Sequence, residues 1–318
     1  MKIVSWNCGG WSCGGFNVER YKKMMQYNPE ILLIQECTKK EFDSVSDECK
    51  LDVYYPSLVG DDLKGNKEFS FLVDEHKLNE YSVIAVQDGV SRSNFNNYVN
   101  SKLRHWYGDT NEESYKGIAI FSTTYNVELI DNFNKEFRFI VPYKISSIHN
   151  HLFKDIEKQK EYIILSVWTK QPSDGSWDYQ KTIFEALEYY NFDIPIILIG
   201  DFNTGSNKNN IHRYEELKIR LEKYGLKNCA VNTEYEYEPT FYHDKTNNYF
   251  TNDFCFISKE FNVYEFCVDK MNNQKRWHGF SDHCPIIADF GELTLNHVKE
   301  IKQKFNELGG NEKKANGI

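Results

Sequence analysis

Ser281-Asp282-His283-Cys284-Pro285 opens onto an apolar run at 285–290, and Gly200-Asp201-Phe202-Asn203 follows another at 194–199. The first stretch sets a carboxylate beside an imidazole. The second sets a carboxylate beside an amide. Short apolar runs bounded by polar residues read as buried strands, so each polar group is delivered at a strand end. Cleavage of a phosphate ester requires such groups: one to activate water, one to bind phosphoryl oxygens and one to anchor a divalent cation.

Moving away from these two stretches, the same reading predicts strands at 2–6, 31–34, 51–55, 69–73, 82–86, 117–121, 127–130, 137–148, 162–168, 248–257 and 263–268. Helices are predicted at 18–27, where Asn28-Pro29 stops the chain, and at 39–47, 179–190 and 211–224. Residues 94–106 read equally as a helix or an insertion. Many strands with interspersed helices imply an α+β fold: two mainly antiparallel or mixed sheets packed face to face with helices outside, a four-layer α/β-β/α sandwich. Polar residues gather at strand ends in the order Asn7, Glu36, Trp168, Asp201, Asp253 and Asp282, where active sites are built on such scaffolds.

The 318 residues contain no linker that would divide them, so one domain is expected at 1–291, followed by a C-terminal helix at 292–308 and a disordered tail at 309–318. Apolar residues make up 40% of the chain, enough for a sizeable core, and the 15% of aromatics give Phe and Tyr the main share of its packing. The formal net charge of −9 argues against holding a nucleic-acid duplex by bulk electrostatics. The eight cysteines include no CxxC pair, so free buried thiols are expected. Met1-Lys2 leads straight into a strand and no apolar run reaches the length of a membrane span, which together imply a cytoplasmic protein with no membrane partner. A monomer is expected.

Six segments, Ser5-Trp6-Asn7, Ile34-Gln35-Glu36, Lys116 to Ser122, Gly200 to Asn203, Asp253 to Phe256 and Ser281 to Pro285, stand in an order that resembles the endonuclease/exonuclease/phosphatase superfamily, with its DNase I-like fold. Pro239-Thr240-Phe241-Tyr242 resembles the block before Asp253. The resemblance implies Mg²⁺ or Mn²⁺ as cofactor, with Glu36 as chief metal ligand helped by Asn7 and Asp282. Hard cations of this kind take carboxylate oxygens, and Mg²⁺ keeps most of its waters. It implies Asp201 as the group that orients or deprotonates water, and Asn203 and Asn7 as amides near the phosphate. His283 would contact the phosphate with Asp253 fixing its tautomer and charge.

Lys116 reads either as a surface lysine or as a phosphate contact beside Gly117. Trp168, a candidate substrate-binding residue, stands where some branches of the superfamily carry a tyrosine or histidine, and an indole can donate a hydrogen bond but cannot act as an acid. Trp277 reads equally as a substrate-stacking ring and as cover for a core edge. The expected activity is hydrolysis of a phosphate ester by in-line attack of activated water, foremost as a nuclease on DNA or RNA. Two alternatives are a phosphatase or phosphodiesterase on a small nucleotide or phosphosugar, and an inactive binding protein on the same scaffold.

Overall fold

The computed structural model describes residues 1–9, 14–49, 103–108, 116–137, 139–147, 161–170, 178–207, 211–272 and 274–292. The strands expected at 51–55, 69–73 and 82–86 lie outside them, as do the C-terminal helix and tail from residue 293 onward. Residue 292 itself ends a strand rather than beginning a helix.

The first sheet contains β1 (Lys2–Asn7), β2 (Ile31–Thr38), β3 (Arg104–Gly108), β4 (Lys116–Ser122), β12 (Phe261–Val268) and β13 (Ile286–Glu292). Their spatial order is β12-β13-β1-β2-β4-β3. The second contains β5 (Tyr125–Leu129), β6 (Ile140–Ser147), β7 (Glu161–Trp168), β8 (Ile196–Ser206), β10 (Phe241–His243) and β11 (Asn248–Ser258) in the order β10-β11-β8-β7-β6-β5, with the short β9 (Leu226–Asn228) also on β11. Pairing is antiparallel except for β1 with β2 and β7 with β8. The undecided stretch near 94–106 ends in β3, the outermost strand of that sheet among the described residues.

Side-chain alternation shows how the layers stack. Along β8, Ile197 and Ile199 enter the core that joins both sheets, while Leu198 and Phe202 enter a second cluster. That second cluster is completed by α3 (Lys181–Tyr190), through Ile183 and Leu187, and by α4 (His212–Glu222), through Tyr214 and Leu217. Strands with both faces buried carry continuous apolar runs, which is why these segments read so plainly. On the far side, α1 (Val18–Met25) and α2 (Lys39–Glu48) cover the first sheet through Tyr21 and Phe42, whose rings meet Phe121 of β4. The expected four layers are therefore present.

Local chemistry fixes where the outer helices start. Asn17 caps α1 by accepting from Arg20 N, and Thr38 forms a capping box with Glu41 at the head of α2. Because Thr38 also ends β2, the cap turns the chain into α2 directly after Glu36. All the described cysteines are free. No described helix is long and apolar enough to cross a membrane.

Candidate active site

β1 and β2 run parallel, so Asn7 and Glu36 emerge at the same end of the first sheet. In the second sheet Asp201 of β8 stands opposite Trp168 of β7 and Asp253 of β11. Asp201 and Asn203 were expected just beyond a strand. They lie inside one, because β8 continues to Ser206. The two ends meet across the sandwich: Asn7 Nδ2 donates to Asp201 Oδ2 at 3.0 Å and to Glu36 Oε1 at 3.3 Å.

Two side chains reach the cleft through unusual backbone. Glu36 has φ of +62° at a break in the β2–β4 register between Gln35 and Cys37. A regular strand would have pointed residue 36 elsewhere; the bulge re-aims it. Asn203 likewise adopts φ of +47° within β8. Such conformations are costly for residues other than glycine and concentrate where function holds them. Gly200, at φ of +141°, is needed for a different reason: a Cβ there would lie 2.1 Å from Val167 O. The glycine lets β7 and β8 close together immediately before Asp201.

His283 sits in the loop before β13. Ser281 Oγ holds that loop by donating to Asn7 O at 2.8 Å and accepting from His283 N at 3.0 Å, and Trp6 Nε1 donates to His283 O at 3.0 Å. The imidazole lies against Phe241, with ring centroids 4.5 Å apart. Its Nδ1 pairs with Asp253 Oδ2 at 2.9 Å, and its Nε2 stands 3.9 Å from Asp201 Oδ2. Asp253 is clamped in turn, its N–H donating to Thr240 Oγ1 at 3.0 Å.

Like charges directly opposite in a sheet repel, and Asp201 and Asp253 form such a pair. The imidazole between them answers this. Burial by itself would drive His283 toward neutrality, but Asp253 and Asp201 outweigh it and hold the proton up to about 10. With that positive charge already matched to Asp253, burial pushes the Asp201 carboxyl up to about 7, eased by His283 and reinforced by Asp253.

The ligand atoms of Asp201, Asp253 and His283 lie within 4.8 Å of one another, close enough to hold one ion. Asp253 Oδ1 is buried and has no hydrogen-bond donor, so it is an acceptor an ion could satisfy. A protonated imidazole, however, has no lone pair to give. Glu36 offers the better anchor: it is partly exposed, where a hydrated ion can keep its waters, and its donors are oxygens. Lys116 already places an ammonium on Glu36 Oε2, so this carboxylate is set to meet positive charge. The residues present thus fit a hard divalent cation.

Four expected roles change in the structure. Asn203 donates through Nδ2 to Thr169 O at 2.8 Å and to Asp201 Oδ2 at 3.1 Å, and its N–H donates to Asp201 Oδ1 at 2.9 Å. Both amide hydrogens are committed, so Asn203 positions Asp201 instead of donating to a phosphate; Asn7 Nδ2 is committed in the same way. Trp277 is 1% exposed, donates to Asp269 Oδ2 at 3.1 Å and packs edge-on against Trp6. It covers a core edge and presents no ring to a substrate. Trp168 is also buried, flanked by Phe139, with Lys170 Nζ 3.8 Å from its ring centroid. Asp282 accepts from Ser281 Oγ at 3.4 Å. The sequence reading gave no role to Thr240, Phe241, Ser281 or Thr169. The first three stand inside segments it had already singled out, but Thr169 carried no such signal.

The two-sheet sandwich is the fold of solved endonuclease/exonuclease/phosphatase proteins, and this chain has that DNase I-like fold. Among solved structures it is similar to an endonuclease/exonuclease/phosphatase family protein from Bacteroides thetaiotaomicron, with 14% identity and a TM-score of 0.50 over 91% of this chain and 97% of that one. A humanized D. rerio TDP2 gives 11% identity and a TM-score of 0.51 over 92% and 98% of the two chains. A functionally unknown conserved protein from Enterococcus faecalis V583 gives 13% and 0.50 over 92% and 100%. At these identities the likeness defines the fold alone. No protein-family model and no curated protein matches the sequence.

Proposed function

We propose that this protein is a divalent-metal-dependent phosphoesterase, with Mg²⁺ or Mn²⁺ as the ion. The observation that carries the proposal is the Asn7 amide, which ties the Glu36 carboxylate to Asp201 across two sheets, next to a charged His283. Asp201 accepts a proton from the attacking water. Its raised pKa suits a general base working near neutral pH. Asn203 and Asn7 hold that carboxylate in one orientation. His283, kept protonated by Asp253, directs a charged N–H at a phosphoryl oxygen, where negative charge grows in the transition state. Lys116, on the Glu36 carboxylate, adds a second positive charge at the cleft. A bound cation, held by Glu36 with Asn7 and Asp282, would neutralise phosphoryl oxygens as a Lewis acid.

The net charge of −9 favours a small or single-stranded substrate over a duplex. The test is hydrolysis of p-nitrophenyl phosphate, bis(p-nitrophenyl) phosphate and single-stranded DNA and RNA with Mg²⁺, Mn²⁺ or EDTA. Activity should vanish in EDTA and fall by about a hundredfold or more in both Asp201→Asn and His283→Ala. Turnover that persists in EDTA, or that survives both substitutions, would remove the proposal.

A further inference from the structure

A cavity of about 350 Å³ opens beside the acid cluster, between the start of α3 and the first turn of α4. Asn203 is one of its walls, and the same residue binds Asp201 through two hydrogen bonds, from its N–H to Oδ1 and from its Nδ2 to Oδ2. The Asn203 side chain therefore stands between the cavity and the Asp201 carboxylate. The remaining polar walls among the described residues are Asp178, Gln180, Thr204, Arg213 and Glu216, with Tyr179 as the aromatic one.

Three features of these walls point to a ligand. Gln180 is only 7% exposed, lines the cavity, and has no side-chain hydrogen bond with any described residue. With the rest of the side chain buried, its carboxamide has its hydrogen-bonding capacity free for a group in the cavity. Arg213 lies with Nη1 3.8 Å from the position a Cβ on Gly205 would occupy, and it forms no ion pair with Glu216, Asp178 or any other described residue. Finally, among the described residues the walls carry two carboxylates against one guanidinium.

That charge balance selects the ligand's chemistry. A groove for single-stranded nucleic acid joins a run of positive charge to stacking rings. Here a second phosphate, which only accepts hydrogen bonds, would face Asp178 and Glu216. An apolar group would leave Gln180 and Arg213 without partners. A hydroxyl both donates and accepts, so it can use the carboxylates and the guanidinium or amide together. The volume lies at the small end of ligand pockets, room for one ring-sized unit. We propose that the cavity seats the organic group of the phosphate ester, and that this group is an uncharged, hydroxyl-bearing ring of monosaccharide size. The inference rests on the phosphoesterase reading for its place in a reaction, but its binding claim stands apart from turnover.

Calorimetric titration with glucose-6-phosphate, in EDTA so that no hydrolysis intervenes, tests the binding claim; thymidine monophosphate and a short single-stranded DNA are run beside it. Glucose-6-phosphate should bind more tightly than either nucleic-acid ligand. Arg213→Met and Gln180→Leu should each weaken it by about tenfold, the loss of one hydrogen bond to a charged or buried group. Arg213 is exposed, so its variant should keep the native melting temperature and covers the case in which Gln180→Leu misfolds. No measurable glucose-6-phosphate binding, tighter DNA binding, or an unchanged affinity in Arg213→Met would overturn the proposal. Sugar-phosphate binding that follows the expected pattern, in a protein that hydrolyses no ester with either metal, would support the pocket and sink the phosphoesterase reading. Hydrolysis of DNA with no effect of Arg213→Met would do the reverse.

Discussion

His283 owes its proton chiefly to Asp253, and Asp201 owes its raised pKa chiefly to burial. Removing the Asp253 charge should release the imidazole proton at lower pH, because Asp253 is the largest influence holding it on. NMR titration of Asp253→Asn should show the His283 ring titrating below the wild-type position near 10. An unshifted titration would mean the pair is not electrostatically joined. The linkage to stability has a definite sign. The folded pKa of His283 lies above its unfolded value of about 6.5, so its contribution is complete below that pH and is lost as pH rises toward 10. The raised pKa of Asp201 acts in the same direction, with its share lost as pH rises toward about 7. Melting temperatures of the EDTA-treated protein should therefore fall between pH values near 7 and 10, and Asp253→Asn should flatten that slope. A slope as steep in the variant as in the native chain would place the titrating group elsewhere.

Strand irregularities, more than the strands themselves, aim the side chains of the candidate site. The β2 bulge forces Glu36 into left-handed backbone, which costs roughly 1 kcal/mol for a residue with a Cβ. Glu36→Gly should relieve that strain and leave stability equal or slightly raised, while abolishing metal-dependent turnover. A marked loss of stability would show that the carboxylate serves the fold rather than the site. Gly200 is the opposite case. Val167 O blocks a Cβ at 2.1 Å, and the backbone carbonyl cannot swing away without parting β7 from β8. Gly200→Ala should cost at least about 2 kcal/mol in urea unfolding and should disorder Asp201 with it. A wild-type unfolding midpoint would mean the two strands can separate there freely.

Across the sandwich, the site and the core share residues. Trp6 packs on Trp277 while its indole N–H fixes the backbone of His283, so the loop that delivers the imidazole is seated on buried aromatic surface. Trp277→Ala should therefore read out as lost stability, about 3–5 kcal/mol for a buried tryptophan, and not as a selective rise in KM. Native-like stability together with a raised KM would return Trp277 to the substrate side. The same reasoning explains why the site can be built from strands so far apart in the chain. The two sheets bury one common core, and Asn7 joins their ends where that core stops.

Much of this was written in the chain order. Continuous apolar runs gave the buried strands, Asn28-Pro29 stopped α1 close to where the helix ends, and short motifs marked Asn7, Glu36, Asp201, Asp253 and His283, because period and polarity are local properties of a segment. The short strands β9 and β10 carried too few residues to show a period, and β8 ran through its polar motif because pairing with β7 and β11 outweighs the turn preference of Asp and Asn. Which tryptophan was core, which amide had hydrogens to spare, and which way Glu36 faced could not be read along the chain. Each depends on neighbours that arrive from distant segments only when the two sheets close.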